Sequence, residues 1–168
     1  LSKAKLFSAF DACAGFWGIR VRPKDRQYTA FHGIYQGSWH LFEWLRMPFG
    51  LKSATATFQR MFMRIMGKGD CICKGGDEGT HSKECEEGYV ALINKVCKIF
   101  VDDGIVYTEV ESNDEGVIHA AHLNNMAKVF KRLSANGISL KACKCVWCSK
   151  EIPLLGHKVV ASEGIQMD

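Results

Sequence analysis

The sequence predicts an α+β fold, an antiparallel sheet with helices packed on one face, and three observations carry that reading. Short alternating runs bounded by acids, glycines or prolines read as strands. Two longer runs place apolar residues at helical spacing. The order along the chain is strand, hairpin, helix, hairpin, helix, strand, with no internal repeat or low-complexity tract. With 168 residues, 47% of them hydrophobic and 24% charged, there is material for one domain with its own core.

Taken in order, Lys5 to Phe10 alternates and then meets Asp11, a strand ending on a carboxylate. Gly15 to Gly18 reads as a short turn, and Ile19 to Arg22 as extended chain before Pro23. Tyr28 to Tyr35 and Trp39 to Leu45 flank Gln36-Gly37-Ser38, a predicted hairpin. Met47 to Leu51 is a loop, and Ser53 to Met66 a helix with Phe58, Met61, Phe62 and Ile65 on one stripe. Residues 67 to 88 are rich in Gly, Cys and charge and read as a surface insertion. Tyr89 to Val96 is predicted helical. Lys98 to Val101 and Ile105 to Thr108 are predicted strands around an Asp102-Asp103-Gly104 turn. Val117 to Ala135 is a second amphipathic helix, burying Leu123, Met126, Val129, Phe130 and Leu133 and stopped by Asn136-Gly137. Short strands are predicted at Ile138 to Leu140, Val146 to Cys148 and Leu154 to Val160.

Composition excludes several classes. No apolar run approaches the ~18 residues of a membrane-spanning helix, and the opening LSKAKLFSAFDACAG lacks the cleavage site and apolar stretch of a secretory signal. The chain opens without Met inside a strand and closes on Gln166-Met167-Asp168 without a cap, so both ends are expected to be cuts through a larger protein. The net charge of +4 is compatible with nucleic acid and equally with a solvated surface. The eight cysteines, with Cys13 and Cys97 in apolar surroundings, are expected to be reduced thiols of an intracellular protein.

Three acids stand out by their setting. Asp11 ends an apolar strand, while Asp102 and Asp103 interrupt an apolar hairpin, where charge is costly unless paired or metal-bound. A strand-end Asp and a DDG turn account for the same residues without chemistry. The alternative is a divalent-metal site. Mg²⁺ takes one or two carboxylates plus substrate phosphates, and two ions about 3.5–4 Å apart serve the attacking and leaving oxygens of an in-line displacement.

A wider pattern bears on the choice. Phe7 to Phe16, FSAFDACAGF, resembles the first catalytic motif of reverse transcriptases of gypsy-type LTR retrotransposons and retroviruses. Arg26 to Phe31 resembles the strand that follows it. Arg46 to Arg60, RMPFGLKSATATFQR, is similar to the family's MPFGL…ATFQR signature, and Phe100-Val101-Asp102-Asp103 to its YxDD box with Phe for Tyr. Lys144-Cys145 and Leu154 to His157 resemble its last palm strands. These motifs stand in the family's order across nearly the whole chain.

The resemblance implies a polymerase palm with part of the fingers, acting as an RNA-directed DNA polymerase. It implies that Asp11, Asp102 and Asp103 hold two Mg²⁺ ions, with Mn²⁺ as the alternative, and that the incoming dNTP lies against the backbone of Ala12, Cys13, Ala14 and Gly15. Phe16 matches the aromatic gate beneath the nucleotide sugar; a core Phe is its other reading. Phe49 and Gly50 match the loop against base and template, or form a tight turn capping the next helix. Leu155, Gly156 and His157 resemble the hairpin that holds the primer end, and Lys144 is a phosphate-side cation or an exposed strand lysine. The implied partners are an RNA or DNA template with a DNA primer, and the rest of a Pol polyprotein: thumb, connection, RNase H and integrase. Those regions lie outside residues 1–168, so the isolated stretch is expected to be inactive or nearly so, because phosphate contacts spread over them supply affinity. A cytoplasmic particle or the nucleus is the implied setting, with no membrane.

The insertion departs from the family's pattern. Cys71, Cys73, His81 and Cys85 are zinc-ligand types, but C-x-C-x₇-H-x₃-C is not a standard zinc spacing, and a loop without zinc is expected. Cys143, Cys145 and Cys148 alternate within strand sequence and are expected to pack. Phe100 and the insertion favour a second hypothesis, a decayed or domesticated module that binds nucleic acid or protein without catalysis. The three acids favour the polymerase.

Overall fold

Alternation in LFSAFD makes Leu6–Asp11 a strand (β1) that buries side chains on both faces, which places it inside a sheet. The structure is a computed structural model that describes residues 1–12, 15–67 and 91–167. The further elements are β2 (Phe31–Tyr35), β3 (Ser38–Phe42), α1 (Ala54–Met66), β4 (Cys97–Phe100), β5 (Asp103–Thr108) and α2 (Glu115–Ala135). After them come β6 (Val146–Ser149), β7 (Glu151–Leu154), β8 (His157–Val160) and β9 (Gly164–Met167). A four-stranded antiparallel sheet has the order β4-β5-β1-β6, β2 pairs β3 as a hairpin, and β7-β8-β9 form a second small sheet.

The period of two divides the central sheet's side chains between two cores. On one face Phe10, Cys97 and Val106 meet Phe58 and Phe62 of α1 and Met126, Val129 and Leu133 of α2. On the other, Phe7, Ile105 and Tyr107 meet Ile152 and Val159 of the small sheet. Both helices thus share one face, as predicted. Phe7, Phe58 and Phe62 are fully buried, each contributing about 1.5–3 kcal/mol of apolar transfer. Gly104 lies opposite Phe10, and a Cβ there would stand 2.1 Å from the ring. The ring therefore lies on bare backbone, which is what the glycine of DDG permits.

In α1 the buried residues are Ala54, Phe58, Phe62 and Met66, while Met61 and Ile65 are half-buried flanks. Its last carbonyls, on Ile65, Met66 and Gly67, face the Arg132 guanidinium of α2 at 3.3–3.5 Å. Helix α2 starts two residues before the predicted Val117, because Asp114 Oδ1 accepts from the Gly116 and Val117 amides. Gly137, at φ 67°, ends it.

Several predictions are corrected. Leu123 is exposed, and His122 takes the core position instead, in the series Ile118, His122, Met126. Two hydroxyls make this affordable: Ser8 Oγ lies 2.8 Å from Nε2 and Thr108 Oγ1 lies 2.9 Å from Nδ1. Residues 91 to 96 form turns, not a helix; the Leu92 and Ile93 amides bond Met66 O, and Asn94 sits at φ 60°. Tyr89 and Val90 lie outside the described residues. Pro23–Thr29 is a 3₁₀ helix where Tyr28 and Thr29 were expected to be extended, since Pro23 presets its first φ and Thr29 Oγ1 folds back to Arg26 O. The tight turn of the β4-β5 hairpin is Val101-Asp102, leaving Asp103 and Gly104 inside β5. Leu154 to Val160 is a hairpin turning at Leu155-Gly156, not one strand, and of Ile138 to Leu140 only Leu140 makes a bridge, to Ala12. The insertion beyond Gly67, with Cys71, Cys73, His81 and Cys85, lies outside the described residues.

Burial, and next the neighbouring His119, pushes the His122 imidazole down to about 4. A base with a depressed folded pKa leaves stability intact above its ordinary value of about 6.5, and stability falls as pH drops from there towards 4. At pH 5 this one group is expected to cost the fold about 2 kcal/mol relative to pH 7. NMR titration of the His122 ring checks it. A midpoint near 6.5 in the folded chain contradicts the account.

Candidate active site

The strand ends bring the acids together. Asp11 and Asp103 are register partners on β1 and β5, so both side chains project from the same face. Asp102 occupies the adjoining turn, where its carbonyl accepts from the Ala12 amide at 3.0 Å. That turn is strained and clamped. Val101, a β-branched residue, has φ 56°, and its amide donates to Gln59 Oε1 of α1 at 2.6 Å. A helix of the ATFQR segment thereby sets the position of the acidic turn.

Electrostatics follow from this convergence. Burial, then the charges of Asp102 and Asp11, raise the Asp103 carboxyl above the usual range, and Lys144 opposes them. Lys144 Nζ lies 3.0 Å from Asp11 Oδ2, with the Asp11 side chain 19% exposed and that of Lys144 56%. That bond first, and the negative charge of the three aspartates with it, holds the lysine above its usual range.

A cleft of about 310 Å³ opens beside them, lined by Asp11, Ala12, Gly15, Phe16, Phe49, Phe58, Asp102, Lys141 and Lys144. Gly15 has to be glycine, since a Cβ there would stand 2.3 Å from the Phe58 ring. Phe16 both lines the cleft and packs on Phe49 and Phe58, with ring centroids 5.1 and 5.2 Å away. Its two readings are therefore compatible.

The other predicted residues divide. Gly50 is exposed at φ 87° and does not line the cleft. Leu155, Gly156 and His157 form the tip of the β7-β8 hairpin in the other sheet and do not line it either. Cys13 and Ala14 lie outside the described residues. Lys141 and Phe58 were not foreseen as cleft residues. The only local hint of Lys141 was its three-residue spacing from Lys144.

The donor set suits a hard divalent cation in its chemistry: three carboxylates carried on two paired strand ends and the turn that adjoins them. Their placement is not yet that of a ligand shell. Among the described residues no three His, Cys, Asp or Glu side chains are grouped to hold an ion, and Asp11 turns an oxygen onto Lys144.

Residues 1–159 match the family described as reverse transcriptase (RNA-dependent DNA polymerase). The retrovirus-related Pol polyprotein from transposon 297 of Drosophila melanogaster is 31% identical over 166 residues, covering 99% of this chain and 12% of the relative. Polyprotein P3 of Commelina yellow mottle virus is 31% identical over 156 residues, covering 93% of this chain and 6% of the relative. The chain thus spans a small part of the curated relatives it matches. Among solved structures, a foamy viral protease-reverse transcriptase in complex with RNA/DNA hybrid aligns with TM-score 0.67 at 21% identity, over 99% of this chain and 18% of that one. Among the described residues no helix is long and apolar enough to cross a membrane.

Proposed function

We propose, since the chain belongs to the reverse transcriptase (RNA-dependent DNA polymerase) family, that residues 1–168 are the palm and part of the fingers of a gypsy-type RNA-directed DNA polymerase. The observation that carries this reading is the pairing of Asp11 with Asp103, with Asp102 at the adjoining turn beside an open cleft. Asp11, Asp102 and Asp103 would hold two Mg²⁺ ions. When bound, such a pair supplies Lewis-acid activation of a primer hydroxyl and neutralises charge on the leaving phosphates.

The chain's own residues supply position and selection. The backbone from Ala12 to Gly15 would carry the triphosphate, and Phe16 would bar a 2′-hydroxyl from the sugar's place. Phe49 and Gly50 would meet base and template, while Leu155, Gly156 and His157 would support the primer end. The partners would be an RNA or DNA template, a DNA primer, a dNTP and the remainder of an intracellular Pol polyprotein. The foamy viral relative, whose fold this chain shares, is described in complex with RNA/DNA hybrid, which supports a nucleic-acid partner.

Primer extension on an RNA template, by a longer chain that includes residues 1–168 and flanking polymerase regions, tests the reading. Mg²⁺-dependent addition of deoxynucleotides is expected. Phe100 in place of the family's Tyr favours a second reading, a module without catalysis. Tight primer–template binding with no incorporation would establish that one instead.

A further inference from the structure

We propose that Lys144 is a positioning residue that holds Asp11 in the place of a divalent cation, so that an ion binds the three aspartates only as the Lys144–Asp11 pair opens. The inference rests on the reading of these acids as a metal site.

The lysine is held at the acid by more than its own side chain. Ala142–Lys144 is a 3₁₀ turn in which the Lys144 amide bonds Lys141 O at 2.9 Å. The Lys141 amide in turn bonds the carbonyl of Asp11 itself at 3.0 Å. The turn is thus tied to the strand end whose charge it neutralises. Asp11 is the more enclosed partner and the lysine the more exposed, so the ammonium can swing to solvent while the carboxylate stays. Lys141 lines the same cleft, yet among the described residues its ammonium makes no ion pair.

Competition follows from the chemistry of one oxygen. An ammonium donates along N–H to Asp11 Oδ2, and a hard divalent cation needs a carboxylate oxygen directly. Asp11 cannot aim that oxygen at both. The ammonium offers one charge against three carboxylates, with Asp103 the register partner of the Asp11 that it holds. Removing the lysine acts twice in the same direction: it releases Asp11 Oδ2 and removes a positive charge beside the incoming ion.

Mn²⁺ binding to the 168-residue chain, followed by electron paramagnetic resonance of the free ion and by calorimetry, tests the proposal without reference to polymerisation. Lys144→Met is expected to tighten Mn²⁺ about tenfold in low salt, or about 1.4 kcal/mol, with a smaller gain in high salt. Lys144→Arg keeps the pair and is expected to stay within about twofold of the parent chain. Lys141→Met removes equal charge and no ion pair, so it should give about threefold or less. Asp102→Asn should weaken Mn²⁺ in every background. If Lys144→Met binds no tighter than Lys141→Met while Asp102 dependence holds, the inference fails and the metal-site reading stands. If no variant binds Mn²⁺ in an Asp102-dependent way, both fail.

Discussion

Asp102→Asn is expected to abolish primer extension in a polymerase-competent chain containing residues 1–168, lowering kcat by about 10³-fold or more, or about 4 kcal/mol in the barrier. The substitution keeps the size of the side chain and the backbone bond from the Ala12 amide to the Asp102 carbonyl, so the hairpin turn keeps its place. Only the charge goes. Folding is expected to be unharmed, because Asp102 adds to the repulsion that raises Asp103, and its loss relieves that repulsion. Rapid-quench kinetics of a single incorporation, paired with thermal melting, separates the two effects. Unchanged melting with extension lost matches the account. Extension within about tenfold of the parent chain would remove Asp102 from the chemistry.

The second large effect concerns the sugar. Phe16→Val is expected to raise the kcat/KM ratio of ribonucleotide to deoxyribonucleotide by roughly 10–100-fold, or about 1.4–2.7 kcal/mol. The ring lines the cleft and is braced on two sides by Phe49 and Phe58. A braced ring is a rigid one, as exclusion by volume requires. The same bracing means that the substitution removes packing, so some loss of melting temperature accompanies the change in selectivity. The informative quantity is therefore the ratio between the two sugars measured on the same protein. An unchanged ratio in an active Phe16→Val enzyme would reduce Phe16 to a core residue.

Features set by local chemistry were legible from the sequence. An apolar run ending in Asp11 reads as a strand with a charge at its end, and β1 is that strand. The stripe of α1 was legible because helix period and burial agree at Phe58 and Phe62. The acids were legible because carboxylates are out of place in strand sequence. What escaped was decided across the fold. His122 displaces Leu123 from the core only because Ser8 and Thr108 arrive from two different strands to bond its ring. The turn moves to Val101-Asp102 with support from Gln59, on a helix 42 residues earlier, which bonds the Val101 amide. Residues 91 to 96 read as helix, yet the bonds of Leu92 and Ile93 to Met66 tie them to the end of α1. The Lys144–Asp11 pair joins residues 133 apart, and no local pattern announces such a contact.

The most direct measurement of the central claim is anomalous diffraction from crystals of the chain soaked in Mn²⁺. The account predicts anomalous density bounded by the carboxylates of Asp11, Asp102 and Asp103, with Lys144 withdrawn from Asp11. Mn²⁺ held elsewhere, with the Lys144–Asp11 pair intact and no density at the three aspartates, would contradict it.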